Sequence, residues 1–154
     1  MKSFKLIFCF LFLAVCFSEC KKYPEDDKRY FFRSPKHRLE PSNGIGYWEV
    51  ESFFVDGVDS TSVYCHPACI IYHFGMRESW STQGIGIDYY LEGKWHFSNW
   101  KKNIVIENLG GKKPLLVSPY DTSQEWEIQK LTKREFWIRT NYNNTEYYLK
   151  LKSY

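Results

Sequence analysis

The sequence predicts an all-β domain of antiparallel strands, built as a sandwich or a barrel. Three observations point there. Apolar and polar residues alternate with period 2 through most of the chain after residue 43, the pattern of strands with one buried face. Turn-forming pairs, Asp56-Gly57, Glu92-Gly93 and Asn143-Asn144, separate these runs. Aromatic residues make up 19% of the chain, which favours pleated surfaces, and no segment after Cys20 has a convincing helical period.

The elements follow in chain order. Residues 1–19 open with Lys2 and Lys5 and continue into the apolar run Leu6 to Phe17. That run is shorter than the roughly 20 residues a bilayer span needs, and a basic start before a short apolar core is the pattern of a secretory leader. Its end, Phe17-Ser18-Glu19-Cys20-Lys21-Lys22, resembles a bacterial lipobox with Glu19 in place of the usual small residue. The resemblance implies that Cys20 carries lipid, palmitate included, and becomes the mature N-terminus. Cys-Lys-Lys followed by acidic residues is similar to lipoproteins of the Bacteroidetes. Residues 20–43 are polar and rich in turn formers, and read as a lipidated N-terminus and flexible tether. Within them, Glu25-Asp26-Asp27 is either a sorting signal for the cell surface, as in some Bacteroidetes lipoproteins, or a solvated linker.

Residues 44–154 hold the strands. Trp48, Val50 and Phe54 share one face of the first, with Glu49 and Glu51 opposite. Val63 to Phe74 is β-rich but interrupted by Pro67. Ile85 to Leu91 reads as a strand, with Glu92-Gly93 as a tight turn to its partner Lys94 to Phe97. Ile104 to Ile106 follows, closed by Asn108 to Pro114. The last third alternates most clearly, in Glu125 to Lys130, Phe136 to Thr140 and Tyr147 to Lys152. About eight short strands joined by tight turns make a sandwich or a barrel, and a barrel removes exposed edges.

The ordered set Gly46-Tyr47-Trp48, Trp48 to Thr61, Glu92 to Phe97, Trp126 to Leu131 and Phe136 to Ile138 resembles the lipocalin-like lipoproteins of the Bacteroidetes. The resemblance covers residues 45–152. It implies a small antiparallel up-and-down barrel of about eight strands, with Trp48 as a structural plug at the closed end and no catalytic constellation. The stretch Tyr64 to Gly75, with Cys65-His66-Pro67-Ala68-Cys69, departs from the family pattern.

Cys65 and Cys69 are disulfide candidates in an exported protein. Four extended residues span about 13 Å, too far for a bridge, but Pro67 permits the turn that would bring them together. Two free thiols are the alternative. A zinc site using His66, His73 or His96 lacks the second short cluster that zinc spacings need, so no metal and no other cofactor is expected. Gly84-Ile85-Gly86 lacks the strand-to-helix context of a dinucleotide site, and no Gly-x-Ser-x-Gly elbow is present. A formal charge of +3 without clustered Lys and Arg excludes nucleic acid as the expected partner.

Trp95, Trp126, Phe136 and Tyr147, with Arg139 or Arg134 as a polar handle, are the candidates to line a ligand pocket. The competing reading is that the rings fill the barrel. Asp59-Ser60-Thr61 resembles a Bacteroidetes O-glycosylation acceptor, which implies a sugar on Ser60. The expectation is a monomeric, non-enzymatic lipoprotein, anchored in a bacterial outer membrane and facing the periplasm or the cell surface. Its barrel either binds a small hydrophobic or amphipathic ligand or acts, filled, as a protein- or glycan-interaction module.

Overall fold

The structure, a computed structural model, describes residues 22–26, 34–40, 46–63, 65, 70–84, 90–112 and 124–154. The leader, Cys20 and Cys69 lie outside the described residues, as does most of the run Ile85 to Leu91.

One antiparallel sheet contains nine strands: β1 (Gly46–Val55), β2 (Val58–Asp59), β3 (Ile70–Gly75), β4 (Ser79–Gly84), β5 (Tyr90–Ser98), β6 (Asn103–Lys112), β7 (Gln124–Leu131), β8 (Glu135–Tyr142) and β9 (Thr145–Ser153). From β3 onward each strand pairs with the next in sequence, and β9 returns to pair with β1 along seven registered positions, Trp48↔Ser153 to Val55↔Tyr147. Eight strands therefore close into an up-and-down barrel, and closure leaves these strands without a free edge. β2 is the extra strand, a short hairpin on the far end of β1.

The alternation turns inward the residues that it marks. Trp48, Val50, Phe74, Trp95, Ile104, Trp126, Ile128, Phe136, Ile138, Leu149 and Leu151 form one buried core. Two of the expected turns are present. Asp56-Gly57 and Asn143-Asn144 both have positive φ at both central residues, the backbone of the tight hairpins that match strand twist.

Four expectations are corrected. First, Phe53 and not Phe54 joins the core, because β1 slips register between Val50 and Ser52 and the bulge inverts the alternation. Second, Glu92-Gly93 is no turn: β5 runs straight through it with a bulge. Gly93 is needed there for close approach, since a Cβ would stand 1.8 Å from the carbonyl oxygen of Glu107. Third, β4 was not foreseen and β6 continues past Asn108. β4 has few large apolar residues. Its inward Thr82 is buried because its hydroxyl accepts from the Leu91 N–H at 3.0 Å.

Fourth, the stretch read as a flexible tether has buried residues in both of its described pieces, 22–26 and 34–40. Helix α1 (Pro35–Leu39) starts at a proline, whose fixed φ suits a first helical position. Its Leu39 is buried, as is Tyr23. Asp26 and Arg38 form an ion pair at 2.7 Å with side chains only 3% and 1% exposed. Both are also tied to one residue of β7: the Leu131 N–H donates to Asp26 at 2.8 Å, and Arg38 donates to the Leu131 carbonyl at 2.9 Å. The Glu25 N–H donates to the Gln129 carbonyl at 2.8 Å. A buried charge is tolerated only with such partners. The charges of this stretch thus hold it to the barrel end, where Trp48 donates its indole N–H to Leu39 O at 2.9 Å.

Candidate functional site

The residues expected to line a pocket lie in the packed core or against it. Trp95, Trp126 and Phe136 are at most 1% exposed. Phe74 stands edge-on to both Trp95 and Phe136, at 5.9 and 5.7 Å, and Trp48 is edge-on to Phe136 at 5.7 Å. Trp95 also meets Phe97 edge-on at 5.3 Å. Such geometry suits the ring quadrupoles and adds to the area they bury. Tyr147 is half-buried and stacks on Phe53. Arg139, expected as a polar handle, lies on the outer face with salt bridges to Glu127 at 2.9 Å and Glu146 at 3.7 Å. Its strand alternation with buried Ile138 and Thr140 sends it outward. Arg134 is exposed at the β7–β8 turn.

Of the remaining marked residues, Ser60 lies at the other end of the barrel from α1. Cys65 is disulfide-bonded, and its partner lies outside the described residues. Ser60 follows β2, donating its hydroxyl to Val58 O at 3.4 Å. Asp59 beside it accepts from both the backbone N–H and the hydroxyl of Thr61, which holds its carboxyl below the usual range. Among the described residues no cluster of three His, Cys, Asp or Glu side chains is placed to hold a metal ion.

The outer wall carries a constellation that the sequence reading missed. Tyr47, His73, Ser81, Glu92 and Gly110 are successive cross-strand partners on β1, β3, β4, β5 and β6. Directly paired residues share one face of a sheet, about 5 Å apart, so these residues form a row. The row borders a groove of about 370 Å³ whose lining includes His73, Ser79, Ser81, Glu92 and Leu109, with Trp80 beneath. Small residues, Gly75 and Gly93 with the two serines, leave the space open. Trp80 is fixed by donating its indole N–H to Glu107 O at 2.9 Å, across Gly93. Tyr47 packs edge-on against His73 with centroids 4.6 Å apart. Burial lowers the His73 pKa below its ordinary value, so at neutral pH the imidazole is uncharged, with one donor and one acceptor nitrogen.

A histidine, a serine and a carboxylate in one row invite a hydrolytic reading, but their order argues against it. A nucleophilic serine needs a histidine that is itself oriented by the acid. Here the serine stands between the two. What the row offers is a line of hydrogen-bonding groups beside an aromatic ring and the apolar Leu109. No linear motif marks it, because its members are spread over five strands. Only a correct strand register would have found it.

No protein-family model matches the chain, and no curated protein matches it either.

Proposed function

We propose that this chain is an exported, lipid-anchored envelope protein whose barrel, filled by its own rings, is a glycan-interaction module working through the outer-wall groove. The observation that carries this reading is the row Tyr47–His73–Ser81–Glu92 beside a groove of about 370 Å³. That volume lies within the usual range for small-molecule sites. The strand spacing sets polar groups about 5 Å apart, close to the length of one sugar residue. Glu92 is an acceptor for paired hydroxyls, Ser81 and neutral His73 both donate and accept, and the exposed Tyr47 adds an aromatic ring at the end of the row. The leader pattern and Cys20 support export and anchoring in a bacterial outer membrane.

A second reading, a small amphipathic ligand inside the barrel, is favoured by one observation. The indole N–H of Trp95 is buried and meets no acceptor among the described residues, and such a group costs about 1–3 kcal/mol unless something accepts from it.

Saccharide-array binding by the whole chain, expressed with its leader and purified as the host processes it, tests the proposal. Binding that Glu92→Gln weakens roughly tenfold or more, the scale of a charge-assisted hydrogen bond, supports the groove. Binding that is indifferent to both Glu92→Gln and Ser81→Ala removes it. Native mass spectrometry of the same sample separates the second reading: an apolar passenger that leaves on denaturation moves the site into the barrel.

A further inference from the structure

The packed end of the barrel carries a feature with no role in the groove. The β5–β6 connection at Asn99–Lys101 holds three consecutive non-glycine residues at positive φ: Asn99, Trp100 and Lys101 at 44°, 55° and 65°. Left-handed backbone is unfavourable for such residues. It persists here because the turn is tied down from both sides. Tyr23 donates its hydroxyl to Lys101 O at 2.8 Å, Lys22 donates to Trp100 O at 2.5 Å, and the Ile128 N–H donates to Lys102 O at 2.9 Å. What the strained turn displays is an indole that is 90% exposed. A single exposed ring is ordinary, but one displayed by three consecutive strained residues points to a function for it.

Three lysines stand at the same turn. Lys22, Lys101 and Lys102 are close enough that burial and the charges of the other two, with Arg38 beyond them, lower the Lys22 pKa. Their acidic neighbours are engaged elsewhere. Asp26 pairs with Arg38, Glu127 with Arg139, and Glu25 accepts from the Tyr148 hydroxyl at 3.2 Å. Glu125, the carboxylate that flanks the turn, accepts from Ser98 and Asn103, while the turn and the segment against it carry three lysines. Lys22 to Asp26 are fixed to the barrel.

We infer that this end is a membrane-docking face: Trp100 inserts at the headgroup level of a bilayer, and Lys22, Lys101 and Lys102 contact anionic phospholipid. Tryptophan prefers that depth, where its ring is buried and its N–H stays wet. Lysines close to an anionic leaflet each add attraction. The inference rests on the anchoring reading only for what holds the barrel near a membrane; ring and lysines act whether or not Cys20 is acylated.

The test uses the whole chain, reconstituted in phosphatidylcholine vesicles with or without phosphatidylglycerol. Tryptophan emission is quenched by bromine-labelled acyl chains from the membrane side and by iodide from the water side. Intact mass of the same sample reports acylation. Docking predicts a bromine-quenched component in anionic vesicles that Trp100→Phe removes. Lys101→Gln with Lys102→Gln should weaken it by roughly fivefold per charge, and it should fall in neutral vesicles. These substitutions touch exposed side chains, so the fold survives them. An acylated chain whose Trp100 emission is open to iodide and indifferent to bromine overturns docking while the anchor stands. A chain without acyl mass whose Trp100 is still quenched by bromine supports docking and removes the anchor.

Discussion

Trp48 and Trp80 use one device in two places, and the difference lies in what each ties together. Both indoles are buried, and each donates its N–H at 2.9 Å to a main-chain carbonyl. Both bonds pass over a glycine, Gly46 or Gly93, whose missing Cβ would stand 1.8 Å from the accepting oxygen. The acceptor of Trp80 is Glu107, inside the barrel wall, two strands away. The acceptor of Trp48 is Leu39, in a segment that arrives from outside the barrel and is otherwise held by the Asp26–Arg38–Leu131 network. The wall bond tightens a curve that the strand ladders already maintain. The end bond joins a lid to a barrel.

Removing the lid bond together with the ring should have the largest effect. Trp48→Ala is expected to lower stability by about 3–5 kcal/mol, the cost of truncating a large buried aromatic, and to shift the urea midpoint accordingly. Trp48→Phe separates the ring from the bond. It keeps most of the packing against Phe136 and should cost about 1–2 kcal/mol, with new protease cleavage between residues 22 and 40. An intact N-terminal segment in that variant would show that the indole bond does not hold the lid.

Breaking the buried ion pair comes close behind. Arg38→Ala strands the Asp26 carboxylate beside Leu131 and is expected to cost about 3–5 kcal/mol, as lone buried charges do. Replacing both partners with apolar residues should recover much of that loss. A double variant no better than the single would place the energy in the Leu131 contacts instead.

The glycines sharpen the comparison at a smaller scale. Overpacking costs typically about 1–3 kcal/mol, but its place should differ. In Gly93→Ala the clash is with β6, which cannot leave, so global stability falls. In Gly46→Ala the clash is with Leu39, which can. The expected result is faster amide exchange over residues 22–40, with the barrel midpoint nearly kept. Equal global losses in both would mean that lid and barrel unfold as one unit.

Much of the barrel was legible because period-2 alternation is a local signal. Trp126 against Glu125 and Glu127, or Phe136 and Ile138 against Trp137 and Arg139, states its face within a few residues. The failures are where another force decides. A bulge at Val50–Ser52 exchanged Phe54 for Phe53, and nothing in the residues announces it. Glu92-Gly93 looks like a turn, but its glycine serves an indole from another strand. The charges of Asp26 and Arg38 read as solvent-seeking, since their partner Leu131 lies far along the chain. The outer-wall row was hidden for the same reason: Tyr47, His73, Ser81 and Glu92 are neighbours only once register is known. Trp48, by contrast, was marked by Gly46-Tyr47-Trp48, and it stands at the end that α1 covers.

The smallest expected effect tests the wall row itself, through pH. Burial lowers the His73 pKa below its ordinary 6.5, because the half-buried imidazole is poorly solvated as a cation. The unfolded chain therefore takes up this proton at a higher pH than the folded chain does. Stability from the neutral imidazole is fully present above the unfolded value. It is lost progressively as pH falls through about 6.5 toward the folded pKa, and levels off below that. Partial exposure keeps the effect small, so it must be read as a difference. The urea midpoint of the parent chain minus that of His73→Gln should be larger at about pH 8 than at about pH 5.5. The carboxylates that titrate over this range are common to both chains and cancel. A difference that stays flat would mean that His73 is as well solvated as a free histidine, and burial would not be what favours its neutral form.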